Sequence, residues 1–514
     1  MPPGALVVAN GHWAAVLAAA GSLPFTRWHF RSSHPFLSMK APSLHYLLLA
    51  TGLALPTTTL AQNELSNFTA TGRGGVINTF AQDYQAIGIN PANLGRAGQS
   101  AFAFTIGEVG AGAASQSLSK SLVNKIISEQ STALSAADRV ALLSSFADKN
   151  ALNLNVDATA LAFSVSLPAG LGGLAVSTRQ RFNSHLAMNQ NAADIVINGR
   201  NAAIVKQYYD PTTGAYLAGS TPPPLLSDVL DGTALQMALT NEFNISYGNQ
   251  VLNLVAFKLS AGVGYRYIQG IGIADVRVSG GEFYGYSALA PVFNVNYGAI
   301  VRNPNFNYRD GARFQTVGSG NGFDVGLAAE VGKALRLGAS VTDLGQMSWD
   351  GNVLTATDQP LRRIESQGLQ TYDVIQEVAN LFDNKDGTLF KYEANKERKQ
   401  ALPAKLRLGA GFRLSELFEV GLDVTAPLNK VAGNLPSTFV GAGLDFKPMH
   451  WLRLSTGVSG GAGYKAALPL GITFATEHYE AGISSRDVTG YFREKSPYYS
   501  VALGFLRFKF GAKS

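Results

Sequence analysis

The 514-residue chain contains no cysteine. That rules out a disulfide framework, thiol catalysis, thiolate metal sites and a lipidated N-terminal cysteine. Long apolar runs are missing as well. Beyond residue 61 nothing approaches the roughly 18–20 consecutive apolar residues that a spanning helix needs. Charge is scarce at 15%, whereas glycine, with 55 residues, and aromatics, at 10%, are plentiful. Mean hydropathy lies near zero. A helical membrane protein would be far more apolar; a β-structured one hides its apolar half in alternation and averages out near neutral. Excess base is slight. The formal charge of +6 includes Arg27, Arg31 and Lys40, and without them 38 bases face 35 acids, which is no nucleic-acid footprint. The length allows two or three ordinary domains or one large barrel.

Residues 39–61 have the build of a secretory signal. Met39-Lys40 gives a basic start, Leu44 to Leu55 an apolar middle, and Thr59-Leu60-Ala61 a small-residue exit before Gln62. Residues 1–38 precede a good start methionine and read as an over-extended start, or otherwise as an extra N-terminal extension. The signal implies export across the inner membrane of a Gram-negative cell and, for a barrel, delivery to the outer membrane.

Most of the remaining chain alternates with period two. Leu406, Leu408, Ala410, Phe412 and Leu414 oppose Lys405, Arg407, Gly409, Gly411 and Arg413. Val420, Leu422 and Val424 oppose Glu419, Gly421 and Asp423; Phe257, Leu259, Ala261, Val263, Tyr265 and Tyr267 oppose Lys258, Ser260, Gly262, Gly264 and Arg266. Such strands bury one face either in a soluble sandwich or against lipid. The signal and the ten-residue strand length favour an all-β, transmembrane antiparallel β-barrel spanning 100–514. Fourteen strands are expected if 269–302 stays outside the wall as a hairpin, and sixteen if it crosses twice. Long connections at 112–150, 188–237 and 350–401 are expected outside the cell, and short ones such as Gly248–Leu252 on the periplasmic side. Tyr265, Tyr267, Trp349, Trp451 and Tyr499 are candidates for interfacial girdles. Near Phe505 the apolar phase slips, as at a bulge.

Residues 62–99 do not alternate. They hold Tyr84-Gln85-Ala86-Ile87-Gly88-Ile89-Asn90-Pro91-Ala92-Asn93-Leu94-Gly95 just upstream of the first strand. Proline fixes its own φ and keeps Asn90 out of the helical region, the asparagine amide can bond nearby backbone, and Ala92 permits close packing. Later, Val341-Thr342-Asp343-Leu344-Gly345 leads to Trp349. The first motif resembles the N-terminal hatch of the long-chain fatty acid transporter (FadL-like) superfamily, and the second resembles a segment of its functionally uncharacterised barrels. The resemblance implies a hatch over 62–99 centred on Asn90, Pro91 and Ala92. It also implies passive or ligand-gated uptake of small hydrophobic molecules such as fatty acids, with sideways exit through the wall. FadL-like barrels that serve as scaffolds for protein secretion or surface attachment also resemble the chain, which leaves that role, with a protein partner, as the alternative.

Within the first long connection Leu118, Leu122 and Ile126 recur at helical spacing, and Ser135 with Asp138 starts a second helix carrying Leu143 and Phe146. These five apolar residues are candidate ligand contacts; the competing reading is that the two helices pack on each other. Catalytic chemistry is not expected. His185, His450 and His478 are scattered, and no metal or cofactor site is assembled. Gly318-Ser319-Gly320-Asn321-Gly322 leads into a strand, not a helix, so it is no phosphate cradle. Within 382–393 four positions fit a calcium loop, but Phe382 occupies the first ligand position. The lumen-facing charges read as cross-strand pairs that stiffen the wall.

Overall fold

The computed structural model describes residues 67–512, apart from 116–117, 130–131, 148–151, 294–300, 356–357, 373–390 and residues 97, 218, 220, 303, 305, 432, 436, 463 and 496. The extension, the signal and the turn of the calcium-like segment lie outside the described residues.

Alternation becomes wall. One antiparallel sheet contains β1 (Ser100–Ser115), β2 (Leu152–Ser166), β3 (Gly173–Ala187), β4 (Ala234–Asn253), β5 (Phe257–Ser279) and β6 (Glu282–Leu289). It continues through β7 (Gly318–Val331), β8 (Leu335–Thr355), β9 (Lys391–Ala401), β10 (Lys405–Arg413), β11 (Phe418–Pro427) and β12 (Phe439–Met449). It ends with β13 (Leu452–Gly461), β14 (Tyr464–Ala467), β15 (Leu470–Ala475), β16 (Tyr479–Ser485) and β17 (Tyr498–Ala512). The last strand returns to the first, from Ser100↔Ala512 to Ala114↔Tyr498, so the sheet has no free edge in the wall. Of the seventeen segments, β6, β9 and β14 only extend their neighbours, and the closed wall has fourteen strands. The segment after residue 269 stays out of the wall. Along Phe257–Gly270 β5 pairs with β7, and along Gly272–Ser279 it pairs with β6 in a projecting hairpin.

One face of each strand is apolar and exposed, as lipid requires, while the other is polar or small and buried. Leu408, Phe412 and Leu422 point outward; Lys405, Arg407 and Asp423 point into the lumen. Connections 167–172, 332–334, 414–417 and 476–478 are short and share one end of the barrel with Ser100 and Ala512. The β4–β5 turn belongs to that end too, but it falls at 254–256; Gly248–Gln250 remain in the ladder, so the expected turn at Gly248–Leu252 is corrected. Long connections gather at the opposite end, which by the usual asymmetry of such barrels faces outward.

Bulges reset the alternation at several places in the wall, two of them where the sequence bears on them directly. On β17, Phe505 and Leu506 lie opposite the single residue Ala481, and the Tyr479 hydroxyl donates to the Phe505 carbonyl at 2.5 Å. On β8, Thr342 and Asp343 lie opposite Asp324 alone, with Asp343 at φ +60°. Before this bulge Leu337 faces lipid; after it Leu344 does, while Met347 and Trp349 turn inward. The girdle expectation for Trp349 is therefore corrected: it is buried against Ile268, Tyr286 and Leu402. Tyr265, Tyr267 and Trp451 do lie on the exposed face.

Candidate functional site

Residues 67–96 are almost entirely buried, and they sit inside the barrel. A short helix, α1 (Phe68–Gly72), is capped by Asn67. Asn90 caps the 3-10 turn Pro91–Gly95: its Oδ1 accepts from the Ala92 amide at 3.2 Å. Its Nδ2 donates to Asn78 Oδ1 and to the Leu327 carbonyl, each at 3.0 Å. Pro91 sets the turn, and Ala92 brings it against the wall. A Cβ on Gly262 would lie 2.4 Å from the Ala92 nitrogen, and one on Gly326 only 2.0 Å from Asn90 Oδ1. Wall and plug are thus fitted backbone to backbone, which only glycine permits.

The plug is held unequally around its circumference. Towards β7–β12 it is tied by polar contacts. The Ile77 and Asn78 amides both donate to Asp423 Oδ2 at 2.7 Å, Asn78 Nδ2 donates to the Gly338 carbonyl at 3.0 Å, Arg73 meets Asp445 at 2.9 Å, and Arg96 meets Glu330 at 3.3 Å. Towards β1–β3 the polar ties are fewer: the Tyr84 hydroxyl donates to Glu108 at 2.6 Å, and Tyr84, Ala86, Ile87 and Leu94 form an apolar cluster with the wall alanines 103, 162 and 175. A cavity with about 390 Å³ of empty space, its open mouth included, lies on this side, between Tyr84, Ile87 and Ile89 of the plug and Glu108, Thr159, Ala162 and Arg179 of the wall.

Above the plug lies an ionic layer. Arg266, 1% exposed, bonds Asp324 at 2.8 and 3.0 Å and Asp343 at 2.6 Å, with Glu242 at 3.5 Å. Arg181 reaches Glu242 at 3.3 Å and Asp343 at 3.6 Å, and Arg179 forms a two-pronged pair with Asp157. The β8 bulge is what aims the Asp343 carboxylate into this layer. A Cβ on Gly88 of the plug would stand 3.4 Å from Arg266 and 3.6 Å from Arg179, so the layer rests on the plug.

A chamber enclosing about 1290 Å³ of empty space, its open mouth included, occupies the outer half of the lumen. Its base is the ionic layer: Asp157, Arg179, Arg181, Glu242, Asp343 and Lys405. One wall is apolar, with Ile268, Ile273, Met347, Trp349 and Leu402; another, on β2 and β3, is uncharged and polar, with Asn153, Asn155, Asn183 and His185. Arg179 borders both this chamber and the cavity beside the plug. The arrangement can accommodate a molecule with a large apolar body and a small polar group.

The external connections fold into a packed layer. Helices α2 (Lys120–Ser128) and α3 (Ala136–Ser145) are capped by Ser119 and Ser135, and α4 (Gln190–Asn198) packs against them. Leu118, Leu122 and Phe146 are buried in the cluster they share with Leu142, Ile197, Leu369 and Tyr372, and Ile126 and Leu143 pack at its margin. The five candidate contacts are therefore brought together, but in the helix–helix core rather than on the chamber. Lys125, Ser135 and Tyr372 converge on Asp138, and their hydrogen bonds, with Lys125 foremost, hold its carboxyl down at about 2.

Sequence reasoning placed the hatch residues and Lys405 and Arg266 on the inner face. It missed Asn153, Asn155, Arg179, Arg181 and His185 as neighbours, because their relation is cross-strand register: Asn153↔His185 and Asn155↔Asn183. Alternation from 152 onward carries that signal, but the irregularity between Thr159 and Leu161 shifts the register of the β2–β3 hairpin by one residue, so these partners cannot be counted off from the short turn at 167–172.

No curated protein matches the chain. Among solved structures, the toluene transporter TodX of Pseudomonas putida aligns with 11% identity and a TM-score of 0.44, covering 87% of this chain and 98% of that one. A Pseudomonas aeruginosa FadL homologue aligns with 10% identity and a TM-score of 0.38 over 90% and 100% of the two chains. The CymD monoaromatic hydrocarbon channel aligns with 10% identity and a TM-score of 0.40 over 87% and 99%. The fourteen-strand wall around an N-terminal plug is the layout implied by the FadL-like resemblance. A family of unknown function (DUF5723) matches residues 91–479, and the chain, a plugged transmembrane β-barrel, belongs to that family.

Proposed function

We propose that the protein is an outer-membrane conduit for passive or ligand-gated uptake of small hydrophobic molecules. The observation that carries this reading is the outer chamber with its apolar wall, with Arg179 bordering both it and a second cavity beside the plug. In this scheme a ligand enters the chamber from outside, passes the Arg179–Asp157 pair, and moves down the side of the plug that faces β1–β3. It then leaves sideways through the wall or into the periplasm. The chamber is bordered by four acidic and four basic side chains, so the route does not select strongly for ionic solutes. No bond-making chemistry is assigned to it.

Uptake of a labelled hydrophobic compound into proteoliposomes tests the proposal. Ala162→Trp, which fills the cavity beside the plug, should abolish saturable uptake, and Asp423→Ala, which frees two plug amides, should raise it. Folding of each variant is checked by heat-modifiable migration on gels. Absence of uptake by a correctly folded parent barrel would reject the conduit and favour a scaffold whose packed external layer holds a protein partner.

A further inference from the structure

Three buried polar atoms on the chamber's β2–β3 wall have no hydrogen-bond partner among the described residues: Asn153 Nδ2, Asn155 Nδ2 and His185 Nε2. Their residues are between 3% and 4% exposed, and all three border the chamber. Leaving such groups unpaired in a folded protein is costly, and the exceptions call for an explanation. Here the explanation can be read from the pairing. His185 Nδ1 and Asn153 Oδ1 lie 3.2 Å apart on register partners. An amide oxygen only accepts, so Nδ1 carries the ring proton, and the neutral ring leaves Nε2 as an acceptor beside the Asn153 N–H donor. Turning the Asn153 amide over exchanges the two roles without changing the sum. Either way the pair presents one donor and one acceptor, and Asn155 adds an amide that can donate.

We propose that this wall recognises a hydroxyl group on an otherwise apolar molecule, so that the chamber's ligand is a hydrophobic alcohol or phenol. A hydroxyl donates once and accepts, which fits the pair; a carboxylate only accepts, and a hydrocarbon does neither. The ring or chain of the ligand lies against Ile268, Ile273, Met347 and Trp349 on the facing wall. Of the carboxylates bordering the chamber, Asp157 is engaged with Arg179, Glu242 with Arg181, Asp275 with Arg398 and Gln236, and Asp343, through its Oδ1, with Arg266 and Arg181. This inference rests on the chamber being the ligand site of the conduit proposed above.

Equilibrium binding of 4-butylphenol, butylbenzene and 4-butylbenzoate to the full barrel in nanodiscs, corrected for partition into lipid, tests it. The phenol should bind about tenfold tighter than butylbenzene, the worth of one well-made hydrogen bond. His185→Phe and, independently, Asn153→Leu should erase that preference, read within each variant as the ratio of its affinities for the phenol and for butylbenzene. Equal binding of phenol and hydrocarbon by the parent protein, as expected if the wall simply holds a water, overturns the hydroxyl proposal alone. So does a preference that survives both substitutions in folded barrels. Tightest binding of the benzoate overturns it in favour of an anionic ligand. Binding of none of the three overturns this inference and the chamber's role together.

Discussion

Arg266 is the side chain whose loss should cost most, because its one guanidinium bonds three carboxylates out of reach of water, and only two of them, Glu242 and Asp343, also meet Arg181. Replacing it by methionine leaves Asp324, Asp343 and Glu242 without their shared cation, and breaking a buried network of this kind costs about 3–5 kcal/mol. Urea unfolding in detergent micelles should show that loss. The same change at Arg363, whose pair with Glu365 has side chains 60% and 77% exposed, should shift stability by no more than about 1 kcal/mol. Gly262→Ala makes a different test, since its methyl meets plug backbone rather than a charge. It should leave the barrel folded but raise its conductance in planar bilayers; Gly460→Ala, whose nearest neighbour would be 3.9 Å away, should be silent. At this scale the sequence told inside from outside well. Arg266, Lys405 and Asp423 fall on the buried face because period two leaves no other place for them. It could not say which charges meet, since Arg266 bonds residues 58 and 77 positions away.

Elements obey the pattern until a bulge interrupts it. The phase slip near Phe505 was visible because large apolar residues stand on both sides of it. The slip in β8 was not, because Thr342 and Asp343 are as acceptable in a regular strand as in a bulge, and Trp349 looked like a girdle residue in consequence. Brominated lipid distinguishes the two tryptophans of a chain starting at Gln62. Trp451, left alone by Trp349→Phe, should be quenched, and Trp349, left alone by Trp451→Phe, should not. The external helices make a second prediction at this scale. Asp138 has its carboxyl lowered from 3.8 to about 2, chiefly by Lys125. A lowered carboxylate lends stability that is present above its ordinary value and disappears as pH falls through the folded one. Amide protection across 120–145, taken relative to the intrinsic exchange rate at each pH, should therefore be level above about pH 4 and fall between about pH 4 and 2. Asp138→Asn should show the lower protection at every pH. Solvent at this site keeps the effect modest.

For the molecule as a whole, strand number and closure were readable from alternation, connection length and the exclusion of spanning helices. The chamber was not, because a luminal void is a property of how fourteen strands and a plug fail to fill a cylinder. No single segment encodes it. His185 shows the point: alone in the sequence it looked inert, and only the β2–β3 register supplies Asn153 as its partner.

The backbone-to-backbone fit of plug and wall also restricts how such a protein can change over generations. Opposite Gly262 the plug offers Ala92, which has only one smaller replacement, and opposite Gly326 it offers the cap Asn90, whose amide is already committed to three bonds. Neither side can gain an atom unless the other has first withdrawn, and at these positions there is almost nothing left to withdraw. The turn and its glycines should therefore drift as one unit while the external layer varies around them. A lineage that lost the plug would have to rebuild much of the inner wall before the barrel could stand open.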